Sequence, residues 1–119
     1  MVNKKYEHII RKIQKFRDER DWLQFHNPKD VALALSIETS ELLELFLWKN
    51  KKEIEDYVKD RQSHEEITGE IADIFTFAFE LAEVLGIDID AAIAEKLKKN
   101  QKKYPVEKSK GKHTKWTKL

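Results

Sequence analysis

Two segments of this chain build an apolar stripe at helical spacing and then interrupt it, each time, with two acids three residues apart. In the first, Val31, Ala34, Leu35, Leu42 and Leu45 recur at the three- and four-residue steps that bring side chains to one helix face, and Glu38 and Glu41 fall inside that stripe. In the second, Ile67, Ile74, Phe77 and Leu81 form the stripe, and Glu70 and Asp73 break it. A face that buries leucine also desolvates glutamate, and a buried carboxylate must be protonated, paired or bound to a cation. No Lys or Arg shares either stripe, and the first helix is expected to face inward with Ile and Phe. Clustered carboxylates repel one another, so four of them turned toward one core call for a cation. Hard oxygen ligands in that number suit Mg²⁺, with Mn²⁺ as the alternative, and magnesium normally keeps positions for water and phosphate oxygens. A di-iron bundle would want Glu-x-x-His on two helices. Here the i+3 partners are Glu41 and Asp73 instead.

Three glycines and two prolines in 119 residues leave few places to turn, so the remainder also reads as helix. Tyr6, Ile9, Ile10, Ile13 and Phe16 predict a first helix from about Asn3 to Arg20. After the linker WLQFHNP, Asn27 caps a second helix with Pro28 at its first position, and that helix is expected to reach Asn50. The charged stretch KKEIEDYVKDRQ has room for one or two short helical turns. Ser63-His64-Glu65-Glu66 reads as a capping box that opens a third helix, which Gly86 closes. Asp88 caps a fourth, running to Tyr104 before Pro105 stops it. The expectation is an all-α, four-helix domain over residues 1–105, followed by a flexible, lysine-rich tail over 106–119.

Charge and composition narrow the function classes. The net charge of +1 hides ten lysines against the single acid Glu107 from Lys96 onward, which leaves the body acidic. A basic tail beside an acidic body suits a polyanionic ligand. The absence of cysteine excludes disulfides and thiolate metal sites. No apolar run is long enough to span a membrane, and MVNKKYEHII has no signal-peptide core, so the expected setting is cytoplasmic, with no membrane partner. Trp22 and His26 fall in a linker, where a large aromatic needs cover that a stacked base or the core itself would supply. Asn100 is expected on the inner face of the fourth helix, continuing Ile93 and Leu97, with Tyr104 one turn on.

Together these residues resemble the MazG-like nucleotide pyrophosphohydrolases, and among them the dCTP pyrophosphatase-like branch. That all-α family carries Glu-x-x-Glu on one helix and Glu-x-x-Asp on the next, which here read Glu38-Thr39-Ser40-Glu41 and Glu70-Ile71-Ala72-Asp73. The likeness extends through ERDWLQFHNPKDVALALSIETSELLELFLW at residues 19–48 and NQKKYP at 100–105. It implies Mg²⁺-dependent hydrolysis of a nucleoside triphosphate between the α- and β-phosphates. It also implies that Glu38, Glu41, Glu70 and Asp73 ligate the metal. By the same resemblance Trp22, His26 and Trp48 enclose base and sugar, while Asn100, Lys103, Tyr104 and Lys112 contact the nucleotide. Departures bear on the base: Phe77 stands where dCTP-specific relatives are expected to carry Tyr, and His113 follows Lys112 where Tyr is more usual.

The two acid-bearing helices have a second apolar side, Leu33, Ile37, Leu43 and Leu47 on one and Phe75 and Phe79 on the other. That exceeds what one small bundle needs to bury. It predicts a homo-oligomer, with a tetramer first and a dimer second. Two rival readings are a helical module that binds nucleic acid through the lysine tail and an assembly protein stabilised by a structural metal. The first leaves four inward acids unexplained, so nucleic acid is not an expected partner.

Overall fold

The computed structural model describes residues 4–119. Asn3, the expected start of the first helix, lies outside the described residues. Those residues form six helices and no strand: α1 (Lys4–Asp18), α2 (Pro28–Phe46), α3 (Lys51–Lys59), α4 (Arg61–Val84), α5 (Ile89–Lys103) and α6 (Val106–Ser109), with 3₁₀ turns at Leu23–Phe25 and Trp116–Lys118. The all-α class stands, and the expected four helices become six. One addition is α3 in the charged stretch; the other is α6, directly after Pro105.

The boundaries moved for local reasons. Asn50 does not end α2. The chain leaves the helix at Leu47 (φ −61°, ψ 137°), Trp48 takes a left-handed φ of 64°, and the Asn50 side chain accepts the Glu53 N–H at 2.9 Å to cap α3. Ser63 does not open α4. Asp60 does, accepting both the Ser63 N–H at 3.0 Å and its hydroxyl at 2.9 Å. A carboxylate suits the positive end of a helix, so the acid captures the serine as donor. The same Asp60 ends α3, its N–H donating to Asp56 O and Tyr57 O. Gly86 (φ 66°) and Asp88 act as expected: Ile87 N–H reaches back to Ala82 O at 2.8 Å, and Asp88 accepts from Ala91 N–H at 3.1 Å.

The long helix α4 is the spine, and α2, α3 and α1 pack on it. Val31 of α2 is fully buried, and Leu35, Leu42 and Leu45 are half-buried along the same stripe. The expected outward position of Phe79 is wrong. It is buried, its ring 5.9 Å from that of Tyr6, because α1 lies across that side of α4. Ile93 and Leu97, expected to face inward, remain exposed, because α5 stands off from the packed helices.

What is left uncovered is large. Leu43 is 68% exposed and Phe75 57%, and Leu33, Ile37 and Leu47 are also open. The accessible area is 9743 Å², against about 6,800 Å² for a compact monomer of this mass. The radius of gyration is 17.9 Å, against about 13.5 Å for a domain of this length.

Candidate metal centre and ligand cavity

The packing of α2 on α4 sets their interrupted stripes face to face, and carboxylate oxygens of Glu38, Glu41 and Glu70 come within 4.8 Å of one another. Glu38 and Glu70 are half-buried and Glu41 is exposed, so the trio sits at the edge of the helix interface. Burial pushes the Glu38 carboxyl up to about 7, and the neighbouring Glu41, Asp73 and Glu70 push it in the same direction. Glu70 is also raised, first by burial and then by the charge of Glu41. Oε2 of Glu38 and Oε2 of Glu70 are buried and accept no hydrogen bond. Unpartnered buried acceptors are rare in native folds. Converging oxygens that lack donors fit a hard divalent cation, which would hold both and relieve the repulsion.

Asp73 is placed differently from the three glutamates. One helical turn beyond Glu70, it is exposed, and its charge still bears on both Glu38 and Glu70. It also lines a cavity of about 330 Å³, roofed by Phe16, Trp22 and His26 and floored by Thr76 and Glu80. Trp22 and His26 reach this cavity because the chain turns sharply after α1. Asp21 takes a φ of 54° and Trp22 N–H donates to Arg17 O at 3.1 Å. Trp22 then packs edge-on against Phe16 at 5.7 Å, and His26 follows at 6.4 Å from the indole. The structure therefore brings five of the expected residues, Glu38, Glu41, Glu70, Asp73 and Trp22, into one neighbourhood, with His26 the sixth.

The other expected residues neither line this cavity nor join the carboxylate trio. Trp48 is 90% exposed at the corner between α2 and α3. That corner is held by Lys49, whose Nζ donates to Leu45 O at 2.7 Å and stands 4.5 Å over the Tyr57 ring. Phe77 is half-buried on α4, and Asn100 is half-buried near the end of α5. Tyr104 closes α5, its N–H donating to Asn100 O at 2.8 Å. Lys103 Nζ stands 5.0 Å over the Trp116 ring, and Lys112 is exposed beyond α6.

Two residues escaped the sequence reading. Arg17 and Glu80 are 5% and 4% exposed, and both line the cavity. The first helix thus faces inward with an arginine as well as with Ile and Phe. Glu80 could have been found, because it stands seven residues after Asp73 on the same face of α4.

The model of the MazG-like family matches residues 33–119, beginning past the ERDW and FHNP segments and running through the tail. dCTP pyrophosphatase 1 of Rattus norvegicus is 35% identical over 113 residues, which cover 95% of this chain and 66% of that protein. The Homo sapiens protein of the same name is 33% identical, with the same coverage. The chain thus spans just under two thirds of the length of these relatives. A crystal structure of a pyrophosphatase from Archaeoglobus fulgidus DSM 4304 superposes with a TM-score of 0.77 at 37% identity, covering 83% of this chain and 91% of that one.

Proposed function

The chain belongs to the MazG-like family, and from that premise we propose that it hydrolyses nucleoside triphosphates between the α- and β-phosphates, releasing nucleoside monophosphate and pyrophosphate. The observation that carries this reading is the facing trio Glu38, Glu41 and Glu70, with two buried carboxylate oxygens that accept nothing, beside a cavity walled by aromatic rings. Glu38, Glu41 and Glu70 would hold Mg²⁺, and Asp73, one helical turn beyond Glu70, would be a further ligand. When bound, the ion would neutralise triphosphate oxygens and make the α-phosphorus more electrophilic.

The chain's own residues supply the rest. Trp22 offers a face on which a base can stack, and a cavity of about 330 Å³ is of nucleoside size. Glu41 and Glu70, at the edge of the interface, are the bases open to the proton of an attacking water. No side-chain nucleophile is needed, which agrees with the lack of cysteine. Phe77 in place of a tyrosine removes a hydroxyl and leaves the base open, so the proposed substrate is a deoxy- or ribonucleoside triphosphate; the likeness to dCTP pyrophosphatase 1 puts dCTP first among those to test.

The area left open on the apolar sides of α2 and α4 supports a homo-oligomer, a tetramer before a dimer. Among the described residues no helix is long and apolar enough to cross a membrane; a cytoplasmic role in nucleotide metabolism is proposed. Pyrophosphate release from a panel of triphosphates with Mg²⁺ tests the activity. Turnover that Glu70→Gln removes is expected, and turnover unaffected by Glu70→Gln and by chelation of divalent ions would refute the site.

A further inference from the structure

The floor of the cavity carries an ionic network that the carboxylate trio does not involve. Arg17 of α1 ties it to α4: Nη1 donates to Glu83 Oε2 at 2.8 Å and stands 3.8 Å from Glu80 Oε1, while Nε donates to Asp18 Oδ1 at 2.9 Å. Glu80 Oε1 is also hydrogen-bonded to His26 Nδ1, which arrives from the loop before α2. Three separate segments thus meet at one buried carboxylate. Apolar residues of similar volume would hold helices together at least as well, so a buried charged group of this kind points to a second role.

Imidazole chemistry supplies that role. The bond made at one ring nitrogen decides what the other can offer. An ionised carboxylate only accepts, so its partner Nδ1 must carry the proton, and Nε2, on the opposite edge of the ring, is left to the cavity. Arg17 holds Glu80 in place, and Glu80 keeps the ring from turning over. We propose that Glu80 is a positioning residue for His26, fixing the proton on Nδ1 and turning Nε2 toward the bound nucleoside. This rests on the reading of the cavity as the nucleoside site.

Nitrogen-15 NMR of the nucleotide-free protein, with the His26 ring assigned by its loss in His26→Ala, tests the first half. In the wild-type chain Nδ1 is protonated. Glu80→Gln keeps it so, because the amide oxygen still accepts, whereas Glu80→Leu moves the proton to Nε2. Steady-state kinetics test the second half. Glu80→Leu and His26→Ala each raise KM about tenfold with kcat little changed, the effect of one lost hydrogen bond at a buried site. The double variant is no worse than His26→Ala alone, and Glu80→Gln stays near wild type. An unprotonated Nδ1 in the wild-type protein would overturn the proposal whether or not any variant folds. So would a KM penalty of Glu80→Leu that persists in full on the His26→Ala background. Absence of nucleotide turnover by the wild-type chain would remove the functional reading and with it the second half, and the ring's proton would still decide whether Glu80 positions His26.

Discussion

Glu38 concentrates the physics of the site in one side chain. Its carboxyl is raised to about 7 by burial and by three acidic neighbours, so the folded, metal-free protein binds a proton there more tightly than the unfolded chain does. The sign follows: the stability associated with this group is full below its unfolded value and is lost as pH rises from about 4.5 to about 7. Thermal melts of the metal-free protein should therefore fall across that window, and the fall should vanish in Glu38→Gln. The same substitution should stabilise the metal-free protein at pH 8 by about 1 kcal/mol, because one like charge is gone, and lower Mg²⁺-dependent turnover by about a thousandfold. Magnesium must displace that proton, so its stabilising effect should be larger at pH 8 than at pH 5.5. An equal Mg²⁺ shift at both values would separate Glu38 from the metal. Glu38 and Glu70 were legible in the sequence because acids inside an apolar stripe break a period. Arg17 was not, because one arginine at the end of an apolar series resembles a solvated face, and Glu80 was legible only through its seven-residue spacing from Asp73.

Helix ends show where sequence patterns compete. Ser63 begins a formally complete capping box, yet Asp60 three residues earlier takes the Ser63 N–H and hydroxyl for itself. Glu65 then pairs with Arg61 at 3.3 Å. Asp60→Ala should cost about 1 kcal/mol in a denaturation experiment, the usual worth of a helix cap; a loss within error would return the cap to Ser63. The α2 boundary was missed because Trp48 adopts a left-handed φ that β- and α-forming residues rarely take, and nothing in its side chain announces that. The expected tail at residues 106–119 contains α6 and the Trp116–Lys118 turn, and Lys103 of α5 stands over the Trp116 ring. Those lysines can neutralise a triphosphate only by coming over the site. Truncation after Pro105 should raise KM about tenfold with the oligomer intact, and unaltered kinetics would leave Lys112 out of the site.

At the scale of the molecule, one chain does not close around its own apolar surface. The open sides of α2 and α4 carry Leu33, Ile37, Leu43 and Phe75, and an uncovered surface of that kind supports the proposed homo-oligomer. Leu43→Glu should lower the assembly state measured by light scattering at micromolar concentration, whereas a wild-type monomer under the same conditions would contradict the assembly. The class, the helix periods and the acid pairs could be read from spacing alone, since each depends on neighbours within a few turns. The association of α1 with α4, the burial of Phe79 and the detachment of α5 depend on distant segments, which local periodicity does not encode. The facing glutamates of α2 and α4 are proposed to support cleavage at the α-phosphate. Phosphorus-31 NMR of dCTP incubated with the chain and Mg²⁺ reads that directly: the triphosphate signals should give way to those of dCMP and pyrophosphate in equal amounts. A spectrum showing dCDP with orthophosphate, or an unchanged triphosphate across the whole nucleotide panel, would contradict it.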